Sequence, residues 1–164
     1  MTVSDATTAP VAVGLIGAGA IGAFHAETLA RRLPGARLVG VADPAPGAAE
    51  RLASSLGAPK ATTDPAELLA DPAVEAVLIA APARFHADLV VAAAGAGKAV
   101  FCEKPMALTL ADADRAIAAA LEELGYRGTV GLEAWASGDS EQALTRFRDA
   151  FTRSDTSEPR GAGQ

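Results

Sequence analysis

Short apolar runs alternate with stretches of helical spacing along most of this chain. The pattern predicts a sheet of six strands complete by Leu132, and apolar runs mark five of them, at 11–16, 38–42, 74–81, 99–102 and 128–132. Helical patterns lie between the runs: an alanine-rich one behind the first strand, then 46–56, a short one from Asp64, 86–96 and 109–124. Because strand and helix alternate, we predict an α/β fold with a doubly wound, mostly parallel sheet and helices on both faces.

A glycine turn, Gly17-x-Gly19-x-x-Gly22, joins the first predicted strand to the first helix. Between a strand and a helix, this spacing is typical of a dinucleotide-binding turn, although a purely structural turn is the alternative. Gly17 would permit the tight turn, Gly19 the approach of a pyrophosphate, and Gly22 close packing of helix on strand. Amides at the helix start, including those of Ala20 and Ile21, would hold the phosphates.

Asp43 ends the second predicted strand, 21 residues after Gly22. An acidic side chain at this place can accept hydrogen bonds from the ribose hydroxyls of adenosine. A 2′-phosphate about 4 Å from it would be repelled by roughly 4 kcal/mol per unit charge at an effective dielectric near 20. No arginine follows to compensate, so the sequence favours NAD as the cofactor over NADP.

Ligands of such sheets bind beyond the carboxyl ends of the strands, near the switch in strand order. This rule places the glycine turn, Asp43, residues 81–86 and residues 103–105 on one rim. We expect His86 to cap its helix or lie beside the cofactor. His25 is expected to be a packed or capping residue, and Cys102 to belong to the core.

Composition restricts the remaining possibilities. With 164 residues the chain suits one domain, and its net charge of −6 argues against nucleic acid and anionic membranes as partners. Its only cysteine excludes an intramolecular disulfide and fits a reducing cytoplasm. We expect no membrane span, no signal peptide and no metal site. We predict a disordered segment at 1–10, a dinucleotide-binding domain at 11–132, and a helical appendage with a disordered tail at 133–164.

Several motifs in order resemble one family. They are the glycine turn followed by His25, the Val-Ala-Asp-Pro of 41–44, and the segments 63–69, 71–77, 82–86 and 97–105. With them, residues 11–132 resemble the amino-terminal, NAD-binding half of the Gfo/Idh/MocA oxidoreductases, which include inositol and sugar dehydrogenases. The resemblance implies a Rossmann domain and, by lineage, the reversible oxidation of a secondary alcohol on a cyclitol or sugar-like substrate.

The resemblance also implies roles for single residues. In that family the lysine of the Glu-Lys-Pro motif, here Lys104, lies beside nicotinamide and substrate, and Glu103 contacts the nicotinamide-side ribose. Lys104 is therefore the candidate catalytic residue, provided that partial burial tunes it for proton transfer. Ala81, Pro82 and His86 fall on the cofactor side of the same site. The bond before the motif's proline is often cis in this family.

The departures from the family pattern affect the expected function. Ala81 stands where Ser or Thr is usual and Ala83 where a small polar residue is usual, so two possible hydrogen bonds to the cofactor are missing. After Gly131 the match ends, and we expect no second, substrate-binding domain. The chain should then bind NAD(H) but act weakly or not at all alone. The alternatives are a non-catalytic NAD-binding or dimerisation module, with a homo-oligomer possible, and a substrate half on a separate chain.

Overall fold

The computed structural model describes residues 9–118, and their centre is a parallel sheet of five strands. The strands are β1 (Val11–Ile16), β2 (Ala36–Ala42), β3 (Lys60–Thr62), β4 (Ala76–Ile79) and β5 (Ala99–Cys102). Their spatial order is β3-β2-β1-β4-β5, and every neighbouring pair is parallel. The chain therefore winds outward from β1 in one direction, then crosses to the other side at β4. This is a Rossmann-like arrangement, with its switch point between β1 and β4.

Helices connect successive strands: α1 (Ala20–Arg31), α2 (Ala48–Leu56), α3 (Pro65–Leu69), α4 (His86–Gly95) and α5 (Leu110–Ala118), with a 3-10 turn at Ala83–Phe85. Local chemistry explains several boundaries. The carboxylate of Asp64 accepts a hydrogen bond from the amide of Ala66 (2.8 Å) and so caps α3, as predicted. Thr109 caps α5 through the amide of Asp112 (3.1 Å).

Alternate residues of each strand face opposite sides of the sheet, and both sides are buried. Val13, Leu15 and Val41 pack in one cluster with residues of α1 and α2. The opposite cluster joins residues of α3, α4 and α5 to side chains such as Ile16 and Ile79. Helices thus cover both faces, which confirms the predicted doubly wound fold.

The observed elements differ from the predicted ones in detail. The predicted strand 74–81 is four residues long, Ala76–Ile79, because these are the residues that pair with Val13–Ile16. The predicted helix 46–56 starts at Ala48, since Gly47 before it has a φ of 73°. No apolar run marks β3, an edge strand with the sequence Lys-Ala-Thr.

Some predictions lie outside the described residues: the strand at 128–132, the end of the helix at 109–124, the boundary at 132 and the appendage at 133–164. The same holds for residues 1–8 of the predicted disordered segment. These remain predictions. In the part of the chain that is described, no helix has both the length and the apolar character needed to cross a membrane.

Candidate dinucleotide site

The glycine turn leaves β1 at the switch point, and its three glycines differ in what surrounds them. Gly17 has a φ of +104°, and a Cβ there would lie 2.7 Å from the carbonyl of Ala80. A Cβ on Gly22 would overlap the carbonyl oxygen of Gly17, so this glycine accommodates the turn itself. A Cβ on Gly19 would meet nothing within 4 Å. The first and third glycines are thus required by the protein's own packing, whereas the second faces open space.

The start of α1 has amides free for a ligand. Gly19, the N-cap residue, has no side chain with which to cap the helix. The amide of Ala23 donates to the carbonyl of Gly19 (2.8 Å), but within the described structure those of Ala20, Ile21 and Gly22 have no acceptor. Free amides at the positive end of a helix dipole suit an anionic group. With the open space at Gly19, they fit the pyrophosphate of a dinucleotide.

Asp43 lies immediately after β2 and points to the glycine turn. Its Oδ2 accepts a hydrogen bond from the amide of Ala18 (2.7 Å), and its Oδ1 accepts one from the amide of Ala45 (2.8 Å). The carboxylate therefore stabilises the glycine turn, in addition to facing the ligand-binding edge of the sheet. The position of Asp43 in the sequence does not reveal its contact with the turn. Each oxygen keeps a further lone pair, which leaves the group able to accept from a sugar hydroxyl.

A cavity of about 320 Å³ opens beyond the carboxyl ends of β4 and β5, beside α1. Residues from four segments line it, among them Ile21, His25, Ala81, His86, Glu103 and Lys104. Pro82 stands just before the 3-10 turn and is not among the lining residues. The predicted rim therefore has two parts, the glycine turn with Asp43 and this cavity, and Ile21 belongs to both.

Glu103 and His25 form the closest side-chain pair in the cavity. Glu103 Oε1 lies 2.6 Å from His25 Nε2, and Glu103 Oε2 accepts from the amide of Lys104 (3.0 Å). The hydrogen bond from His25 lowers the pKa of Glu103 below its usual value, and the Lys104 amide adds to this, although partial burial opposes both. The carboxylate is consequently ionised and fixed at neutral pH.

His25 thus contacts a candidate site residue, which sequence reasoning missed. Its ring also packs edge-on against Phe24 and Phe101, with centroids 5.8 Å away in each case. A signal was available, because Ile21 and His25 are four residues apart and so share one face of α1. What the spacing could not show is that this face points at Glu103, 78 residues away in the chain.

His86 lines the cavity, and its side chain does not cap α4, one of the two roles expected for it. It is the first residue of α4 and is only 1% exposed. Its Nε2 lies 2.7 Å from the carbonyl oxygen of Ala81, and its Nδ1 lies 2.7 Å from that of Pro105. The ring therefore connects the loop after β4 with the loop after β5.

Lys104 is more exposed than expected, whereas Cys102 packs against the core. Lys104 lines the cavity and precedes a cis bond to Pro105, but it is exposed, so the partial burial expected for proton transfer is absent. The reason is its place on a turn that projects beyond β5, the last strand of the described sheet. Cys102 is half-buried and packs against the core cluster that contains Ile16 and Ile79, in agreement with its expected place. Burial raises the pKa of its thiol to about 12, which keeps it protonated and unreactive.

Comparisons with known proteins agree with this geometry. The sequence model for "Oxidoreductase family, NAD-binding Rossmann fold" (Gfo/Idh/MocA) matches residues 11–132. The scyllo-inositol 2-dehydrogenase (NAD(+)) of Bacillus subtilis is 40% identical over 121 residues, which are 74% of this chain and 35% of that protein. The inositol 2-dehydrogenase of Rhizobium meliloti is 48% identical over 105 residues, 64% of this chain and 30% of that protein.

A solved structure shows the same likeness. The probable dehydrogenase from Thermotoga maritima superimposes with a TM-score of 0.64 at 43% identity, covering 66% of this chain and 32% of that one. This chain spans about a third of the length of the curated relatives that it matches.

Proposed function

Since this chain belongs to the Gfo/Idh/MocA family of oxidoreductases and carries the family's NAD-binding domain, we propose that it is the cofactor half of a dehydrogenase. The proposed substrate is a secondary alcohol of an inositol or a sugar-like molecule. Curated relatives named as inositol 2-dehydrogenases support this substrate class. These relatives are about three times as long as the region that this chain matches.

One observation carries the proposal: the free amides of α1 and the cavity containing Glu103 and Lys104 share the carboxyl edge of the sheet at its switch point. We assign the pyrophosphate to the amides of Ala20, Ile21 and Gly22. The adenosine ribose is then assigned to Asp43. The nicotinamide end goes to the cavity, between Ala81 and Glu103.

The chain's own residues would bind and orient the cofactor, while the nicotinamide would accept or donate the hydride. Glu103, ionised and held by His25, is suited to accept hydrogen bonds from the ribose hydroxyls. Lys104 lines the cavity, where its amine in the neutral form would take the proton from a substrate hydroxyl, and as the ammonium would return it in the reverse direction. Its exposure means that water must be excluded by something other than the described residues.

The cofactor assignment is tested by titrating NAD and NADP calorimetrically into the wild type and Asp43→Ala. We expect the wild type to prefer NAD, because a 2′-phosphate would approach the Asp43 carboxylate. The variant should bind NAD about tenfold or more weakly and lose most of this preference, since the ribose acceptor and the support of Ala18 both disappear.

Asp64→Ala is the matched control, because it also removes a carboxylate that accepts from a backbone amide, but at the start of α3. It should lower the melting temperature and leave both affinities unchanged. Equal affinities for NAD and NADP in the wild type, or an Asp43→Ala variant that keeps its preference, would contradict the assignment.

The second candidate function is a non-catalytic NAD-binding or dimerisation module. The exposed Lys104 and the methyl groups of Ala81 and Ala83 in the cavity wall favour it, because they leave the chemistry unassisted. Turnover of an inositol panel by the purified chain would argue against it. A concentration-dependent dimer in size-exclusion chromatography, without turnover, would support it. For either function we propose a cytoplasmic location, based on the single cysteine.

A further inference from the structure

His86 makes two hydrogen-bonding contacts to two different loops. One ring nitrogen faces the carbonyl of Ala81, which follows β4, and the other faces the carbonyl of Pro105, which follows β5, both at 2.7 Å. Only 1% of the His86 surface is exposed, so water has little access to the ring. We call this pair of contacts the His86 bridge.

A carbonyl oxygen only accepts hydrogen bonds, so each arm of the His86 bridge needs an N–H on the ring. A neutral imidazole has one N–H and one lone pair, whereas the protonated ring has two N–H groups. Both distances of 2.7 Å lie within the range of N–H···O hydrogen bonds. In the neutral ring, one nitrogen lone pair would face a carbonyl lone pair, and that arm would have to open.

We propose that His86 is a positioning residue whose bridge depends on its protonation. With two N–H protons the ring ties the Ala81 loop to the Glu103–Pro105 turn, and with one proton it releases one of them. The structural part of this inference stands on the two contacts alone. Its consequence for cofactor binding rests on the proposed function, because Ala81 and Glu103 line the cavity assigned to the nicotinamide end.

Charged groups of both signs lie near the ring. Glu103 and Lys104 line the same cavity as His86. Asp88 on α4 is paired with Arg115 of α5 at 2.8 Å, which offsets its charge. The titratable and charged groups that line the cavity or belong to the 3-10 turn, α3, α4, β5 and α5 are His25, Glu67, Arg84, Asp88, Cys102, Glu103, Lys104, Asp112, Asp114 and Arg115.

Nuclear magnetic resonance of the ring nitrogens tests the bridge directly. The chain has two histidines, so His25→Gln labelled with ¹⁵N-histidine reports His86 alone. Over a series from acidic to alkaline pH, we expect the ring to pass from two protonated nitrogens to one. The amides of Ala83 and Met106, next to the two loops, should shift with the same midpoint. A ring with one protonated nitrogen throughout, or a titration without these shifts, would overturn the proposal.

Calorimetry with NADH over the same pH range tests the consequence. In His25→Gln the affinity should fall by about threefold to tenfold as the ring loses its proton, the effect of about one hydrogen bond. The double variant His25→Gln, His86→Gln should bind weakly and show no step there, because the amide at position 86 donates from a single nitrogen. Because the step must share the midpoint of the His86 ring signal, it is distinguished from any titration of Glu103, which loses its hydrogen bond from His25 in this variant.

The two proposals fail in different ways. If NADH binds at no pH while the ring titrates as described, the cofactor assignment fails and the His86 bridge stands. If NADH binds with constant affinity through the titration of the ring, the positioning role is overturned. The ring spectrum needs no substitution at His86, so the test holds even where His86→Gln does not fold.

Discussion

The two ends of the candidate site are built in different ways. At the phosphate end, the glycine turn is one continuous segment whose backbone forms the site, and side chains matter mainly by their absence. At the cavity end, side chains from α1, α4 and the loop after β5 meet across long stretches of sequence. The first end depends on close backbone approach, and the second on hydrogen bonds between distant residues.

This difference predicts how each end responds to change. A single added methyl group can destroy the turn, because close-packed backbone atoms cannot move aside. The cavity end should respond by degrees, because each of its hydrogen bonds contributes on the order of 1 kcal/mol. Substitutions at the two ends can therefore separate backbone effects from side-chain effects.

The largest effect is expected for Gly22→Ala. Its Cβ would overlap the carbonyl oxygen of Gly17, and neither backbone segment can shift without opening the turn. We expect a loss of about 3 kcal/mol or more in unfolding free energy and no measurable NAD binding, as read by thermal denaturation and calorimetry.

Two other glycines are controls for this change. Gly19→Ala should fold normally, because its Cβ meets nothing within 4 Å, yet bind NAD at least about tenfold more weakly by filling the space assigned to phosphate. Gly95→Ala, also in open space at the end of α4, should alter neither stability nor binding appreciably. Unchanged NAD affinity in Gly19→Ala would show that the phosphates lie elsewhere.

A smaller effect is expected for His25→Ala, at the cavity end. Without the imidazole, Glu103 loses the hydrogen bond that holds its pKa down and fixes its orientation. NADH affinity should fall by about tenfold while the fold remains intact, as measured by calorimetry and circular dichroism. His25→Gln keeps a donor and should recover much of the loss. If alanine and glutamine were equally harmful, the ring packing against Phe101 would be the important contact instead.

The sequence predicts the phosphate end well, because its signals are local. Gly17, Gly19 and Gly22 are adjacent in the chain, and Asp43 follows a recognisable apolar strand. Even there, the contact of Asp43 with the Ala18 amide was not predictable, because it depends on how β2 lies against the turn.

The rule for parallel sheets predicted the place of the cavity end, residues 81–86 and 103–105, but the roles of single residues there came only from the family resemblance. Glu103 and Lys104 came from a motif, while the partners of His25 and His86 depend on the order of the strands. The core shows the same limit at Leu68, whose side chain fills the space beside Gly14 and Gly40, which pair in neighbouring strands. A Cβ on either glycine would lie within 2.8 Å of that leucine, yet the residues are far apart in the sequence.

The smallest effect is expected on stability in acid. It distinguishes residues of the candidate site from residues that only stabilise the fold. Asp71 has its pKa lowered first by the amide of Ala73 and then by Lys60, whose Nζ lies 3.0 Å away on edge strand β3. A carboxyl group with a lowered folded-state pKa stabilises the fold above its ordinary pKa, and this contribution is lost as the pH falls through the lowered value. Asp71→Asn should therefore melt earlier at pH 7 but lose less of its melting temperature between about pH 5 and about pH 2.

Glu103→Gln provides the contrast, because Glu103 also has a lowered pKa but its partners lie in the site. It should weaken NADH binding more than Asp71→Asn does. Glu50→Gln, which removes the same charge from an exposed position on α2, should change neither property. If Glu103→Gln, rather than Asp71→Asn, reduces the loss of melting temperature at low pH, the cavity end also stabilises the sheet. The candidate site and the rest of the fold would then not be separable. If instead Asp71→Asn changes acid stability and Glu103→Gln changes only NADH affinity, the His25–Glu103 pair is maintained by the fold and contributes chiefly to cofactor binding.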